Sequence, residues 1–176
     1  MGIMLTLDQR YVRKMAALGS FSAIATIGAA WMISPAISIH SINGLPLRLS
    51  AYLLAILIGV VPMVAMIARI AMGRFFGPAI LGGNCDPVVE IDVRVLNNTH
   101  EQFILFGVSA LLLIAVLPEG RLAMAPMLAV AFNFFRFVFW LGYHRKPTMR
   151  AFGFAATFYS NILLMVLCVF LIYWLD

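Results

Sequence analysis

Arg94, Asn98 and Glu101 stand at i, i+4 and i+7, a spacing that sets a guanidinium, an amide and a carboxylate on one helical face. Farther along, Arg136 and Tyr143 share a face in the same way, and Arg150 follows just past Lys146-Pro147. Guanidinium groups grip carboxylates through forked, charge-assisted bonds, and a carboxylate suits an ammonium. Two readings of this set stay open. In the first, Arg136 and Glu101 form a structural ion pair between neighbouring helices while the loop arginines touch lipid phosphates. In the second, the whole set converges on a small anionic ligand, zwitterionic with an excess of negative charge.

The elements that must position these residues are membrane helices. Of 176 residues, 64% are hydrophobic and 11% charged, with a mean hydropathy of +1.02, whereas globular domains carry roughly 25% charged residues. Lipid must solvate most of such a surface. The net charge of +5 does not point to nucleic acid, because the basic residues are scattered between apolar runs. Cys85 and Cys168 are too few and too far apart for a disulfide framework. His40, His100 and His144 lie in different segments without metal-ligand spacing, so no metal site is expected.

Five apolar segments approach the roughly 20 residues a bilayer requires: Met15 to about Ile33, Leu49 to Ile70, Phe103 to Leu117, Leu122 to Leu141, and Ala155 to Leu175. The first is too long for a signal peptide and lacks a convincing cleavage site, so it reads as a retained helix. Turn residues separate the segments, among them Gly82-Gly83-Asn84, a flexible connector whose functional alternative is a lid. A cytoplasmic N-terminus puts Arg10, Arg13, Lys14, Arg69, Arg74, Arg94, Arg145, Lys146 and Arg150 inside and leaves only Arg48 and Arg121 outside, as positive charge prefers. Asp86-Pro87 is a good helix start. A helix from there to Leu117 spans about 31 residues, or roughly 46 Å, so its polar first turns stand at the membrane's inner edge. Gly19, Ala23 and Gly28 offer a small-residue face for helix contact. Ser160 and Asn161 suit bonds to a neighbouring helix. The aromatic run Phe132 to Trp140 suits packing and lipid.

The segment VRVLNNTHEQF, carrying Arg94-x-x-x-Asn98-x-x-Glu101, resembles the second-helix motif of the MAPEG family, the membrane-associated proteins in eicosanoid and glutathione metabolism. RFVFWLGYHRKPTMR, from Arg136 through Tyr143 to Arg150, is similar to that family's second motif. The resemblance covers about residues 50 to 175. It implies a four-helix transmembrane domain over 49–176, assembled as a homotrimer, preceded by an additional helix and loop over 1–48. Also implied is glutathione as the bound ligand, between subunits and open to the cytosol, held by Arg94, Asn98, Glu101, Arg136 and Tyr143. Arg69 resembles a further arginine that reaches the ligand, and Arg150 matches the one facing the thiol. The implied activity is transfer of glutathione to lipophilic electrophiles, or reduction of lipid hydroperoxides arriving from the bilayer. Phe139 and Asn97 depart from residues that some members carry, and the first helix is extra. The alternative is therefore a catalytically silent glutathione- or lipid-binding scaffold.

Overall fold

The computed structural model describes residues 6–37, 39, 43–81 and 86–175; His40, Cys85 and the Gly82-Gly83-Asn84 connector lie outside them. Among the described residues the helices are α1 (Leu7–Ile33), α2 (Leu45–Gly59), α3 (Val61–Phe75), α4 (Pro87–Val116), α5 (Met124–Arg145) and α6 (Ala151–Leu175), with short 3-10 turns at 34–36, 78–81, 119–121 and 147–150. Among the described residues five stretches are long and apolar enough to cross a bilayer, because α2 and α3 form one span over Leu45–Phe75. The chain is a multi-pass integral membrane bundle.

Local sequence sets the helix ends. α1 starts eight residues before the expected Met15, at a capping box in which the Gln9 amide donates to Thr6 Oγ1 (3.2 Å) and the Thr6 amide to Gln9 Oε1 (2.8 Å). Arg10, Arg13 and Lys14 are consequently helical. Asp86 caps α4 by accepting from the Val88 amide at 2.7 Å, with Pro87 as first residue. At the opposite end of the bundle, Arg48 donates to the carbonyls of Ile114 and Leu117, closing the exposed end of α4.

The second span breaks at Val60 because Pro62 has no N–H to give to the Ile58 carbonyl. Asn133 of α5 replaces it, its Nδ2 donating to Ile58 O at 2.8 Å. An unpaired carbonyl is costly in a bilayer, so this bond lets the proline sit at membrane depth. α5 runs through the centre of the bundle, against α2, α4, α6 and α1, and buries Phe132, Phe135 and Phe139.

α1 packs chiefly on α6. At their closest point Gly19 meets Ala155 and Phe152, where a Cβ would come within 2.8 Å of both, so only glycine permits the approach. Ala23 and Ala30 continue that buried face, whereas Gly28 has nothing within 4 Å of its Cβ direction and is no part of it. Asn161 reaches from α6 to Gln102 of α4 (3.2 Å to its carbonyl), and Cys168 is a buried thiol. Replacing Asn133 by alanine is expected to destabilise the bundle by about 1 kcal/mol through the orphaned Ile58 carbonyl. A thermal unfolding midpoint in detergent unchanged from the parent would refute this account of the break.

Candidate functional site

The beginnings of α1, α4 and α6 and the end of α5 meet at one end of the bundle, around a cavity of about 670 Å³. Its polar side is formed by Arg94 and Asn98 of α4, Tyr143 of α5, and Thr148 and Arg150 of the 3-10 turn Pro147–Arg150. Aromatic and small residues of α6 and α1 form the rest. The tight return from α5 depends on Gly142, where a Cβ would lie 2.8 Å from the Met149 carbonyl. That return sets the Arg150 guanidinium 4.5 Å above the Tyr143 ring, a cation–π contact.

Behind this wall lies Arg136, fully buried. Its Nη2 donates to Asn98 Oδ1 (3.0 Å) and Thr99 Oγ1 (2.8 Å), Nε to Thr99 Oγ1 (3.2 Å) and Nη1 to Thr157 Oγ1 (3.3 Å). The Phe139 ring covers it at 4.0 Å. The ion pair with Glu101 anticipated from depth does not form. Glu101 is exposed and accepts from Asn98 Nδ2 at 3.3 Å. The helical turn explains the difference: Thr99, on the buried face of α4, meets Arg136, and Glu101 points away. The result is a relay in which Arg136 fixes the Asn98 carbonyl oxygen and so turns the amide nitrogen toward Glu101.

Arg94 stands at the rim, largely exposed, with Glu90 3.7 Å away. Arg69 does not line the cavity. Its Nε pairs with Asp92 Oδ2 at 2.7 Å. Asp92 is 1% exposed and also accepts from Trp140 Nε1 (2.7 Å) and contacts His144 Nε2 (2.6 Å). This cluster ties α3, α4 and α5 together one turn from Tyr143. One sequence signal could have exposed it: Asp92 falls three residues from both Val89 and Val95, on the buried face of α4.

Thr148 is a second residue without an assignment from the sequence. Its Oγ is enclosed and lacks a hydrogen-bond partner, and the residue lines the cavity. A buried hydroxyl left unpaired costs about 1–3 kcal/mol. Donors outnumber acceptors throughout the wall. That balance suits an anionic ligand; Glu101 is not among the lining residues. Among the described residues no group of three metal-ligating side chains occurs.

Fold and site together define a multi-pass membrane protein with a cationic cavity at one end of a helical bundle. Residues 45–170 match the MAPEG family, and the chain belongs to that family. No curated protein and no solved structure gave a match. The matched region begins at α2, so the fold is a MAPEG four-helix bundle with α1 as an additional N-terminal helix. Membership places the protein in membrane glutathione-related or eicosanoid metabolism.

Replacing Asp92 by alanine leaves Arg69, Trp140 and His144 without their common acceptor. The expected cost is about 2 kcal/mol, reduced from the fully buried case because Arg69 is half exposed. Chemical unfolding in detergent followed by tryptophan fluorescence checks it, and a loss near zero would remove the structural role given to the cluster.

Proposed function

We propose that the protein is a membrane-embedded, glutathione-dependent transferase or peroxidase acting on lipophilic electrophiles or lipid hydroperoxides. The observation that carries this reading is the convergence of Arg94, Asn98, Tyr143 and Arg150 on a single cavity, with the buried Arg136 holding Asn98 from behind. In this proposal the arginines and Tyr143 bind the tripeptide's carboxylates and Glu101 takes its ammonium. Arg150 faces the sulfur. A free thiol near pKa 8.5 is mostly protonated at neutral pH, and a fixed cation lowers that value. Each unit of lowering corresponds to about 1.4 kcal/mol. The thiolate is the nucleophile, and Arg150 is the residue that keeps it charged.

The proposal includes self-association as a homotrimer with the cytosol on the site's side. Exposed positions on α4 support the assembly: they run from Glu90 through Arg94, Asn97, Glu101, Ile104, Val108 and Leu111 to Ala115 at alternating intervals of four and three residues. Such a seam is the one along which helices of separate copies pack. It would also explain an exposed carboxylate on a membrane span, and Arg69 would reach a ligand only from a neighbouring copy. Phe139 favours a second reading, a binding scaffold without turnover, because the Phe139 side chain brings no polar atom to the cavity it lines.

The test is glutathione affinity and thiolate absorbance of the purified protein beside its Glu101→Ala and Arg150→Ala variants. Glu101→Ala is expected to weaken binding about tenfold, near 1.4 kcal/mol. Arg150→Ala should keep affinity within about threefold and lose most of the thiolate signal, a shift of about one pKa unit. Variants indistinguishable from the parent in both measurements would refute the assignments. Binding with neither thiolate nor turnover in the parent would select the scaffold.

A further inference from the structure

The family match begins at residue 45, yet α1 contributes two residues to the cavity wall. Val12 and Ala16 continue the face of α1 that carries Gly19 and Ala23, at steps of four, three and four residues. Across from them α6 presents Phe154, Phe158 and Tyr159. Phe154 and Phe158 stack in parallel, 5.7 Å between centroids and 8° apart. Phe154 and Tyr159 are 37% and 41% exposed, so this wall runs from the polar groups out to the lipid-facing surface. Below Ala16 the two helices come into backbone contact at Gly19. The gap between them therefore closes there, and the open side of the cavity follows the α6 aromatics.

α1 is also held over the site from the other end. Lys146, next to the turn that carries Arg150, donates from Nζ to Asp8 Oδ1 at 2.9 Å. Asp8 keeps the Lys146 ammonium charged to higher pH than usual. Both side chains are more than half exposed, so the pair orients α1 and adds little stability. The small side chains of Val12 and Ala16 set the width of the passage between these two attachments.

We infer that this apolar arm, bounded by Val12 and Ala16 of α1 and by Phe154, Phe158 and Tyr159 of α6, seats the apolar body of a membrane-dissolved electrophile. Acceptor selectivity then resides in part in a helix outside the family-matched region. The inference rests on the glutathione reading above for its reaction, and on the cavity walls alone for its binding site. An α,β-unsaturated aldehyde is a suitable acceptor. The thiolate sulfur bonds to the β-carbon and the π pair moves to the oxygen as an enolate. A proton taken at the α-carbon matches the one the thiol gave up, and nothing leaves.

The experiment compares the full-length parent with Ala16→Trp, which narrows the arm from α1, and Phe158→Ala, which widens it from α6. Each is assayed with 2-alkenals from 2-pentenal to 2-decenal, and glutathione affinity is measured separately. In the parent, kcat/KM is expected to rise with chain length. Ala16→Trp should cost the longest acceptor about tenfold or more, the scale on which apolar pockets discriminate, with the shortest acceptor and glutathione affinity within about twofold. Phe158→Ala should also flatten the chain-length preference, so the inference does not hang on one bulky substitution. Partitioning into detergent is common to all three proteins and cannot produce that difference.

A diazirine-bearing decanol supplies a readout independent of turnover. It should label residues 12–16 and 154–159, saturably and competed by 2-decenal, and Ala16→Trp should lower that labelling. Labelling of this kind without turnover or glutathione binding would keep the apolar site and remove the transferase reading. Labelling absent from both segments, or unaffected by Ala16→Trp, would overturn the inference. An equal loss for every chain length would do so as well.

Discussion

A guanidinium sealed inside an apolar bundle must be solvated by the protein itself, and Arg136 governs much of what surrounds it. Two threonine hydroxyls, one amide oxygen and one ring face meet the cation, with no carboxylate in contact. The four partners come from three helices: Thr99 and Asn98 from α4, Thr157 from α6, Phe139 from α5 itself. The charge thus fixes the rotation of three helices at once. The partners in direct contact are neutral, and the nearest carboxylate, Glu101, is reached only through the Asn98 amide. Removing a partner would strand a cation at a depth where water does not reach.

Two buried ionic centres divide the labour at this end of the bundle. The Arg136 group faces α6 and the cavity. The Asp92 group faces α3 and receives Arg69, Trp140 and His144. Both include residues of α4 and α5, about two turns apart on α4, so the wall carrying Tyr143 is held from two sides. Such rigidity is what a binding constellation needs from its support. The Pro147–Arg150 turn is fastened differently, by the close return at Gly142 and the Asp8–Lys146 pair.

Much of the fold could be read from residue types alone. Lengths of apolar runs mark five spans, and α4 starts at Asp86-Pro87 as its sequence predicts. The spacing of Arg94 and Asn98, and of Tyr143 and Arg150, anticipates residues that do share a cavity. What spacing cannot supply is helix rotation. Arg136 and Glu101 match in depth but not in azimuth, and a difference of two positions on α4, Thr99 against Glu101, decides the partner. Arg69 illustrates the same point, since its nearest acceptor is a buried aspartate whose role appears only when three helices are assembled. The contribution of α1 to the site was equally hidden, because a helix of small and apolar residues looks the same whether it faces lipid or a ligand.

The amide that Asn133 lends to the second span has a bearing on biogenesis. Chain order delivers α2 and α3 to the bilayer long before α5 emerges, and in that interval the Ile58 oxygen lacks both the amide that Pro62 cannot supply and the Asn133 side chain that stands in for it. The break before Pro62 is therefore completed by a side chain synthesised 75 residues after Ile58. Early spans of this protein are provisional guests of the membrane, and their final shape is conferred retroactively.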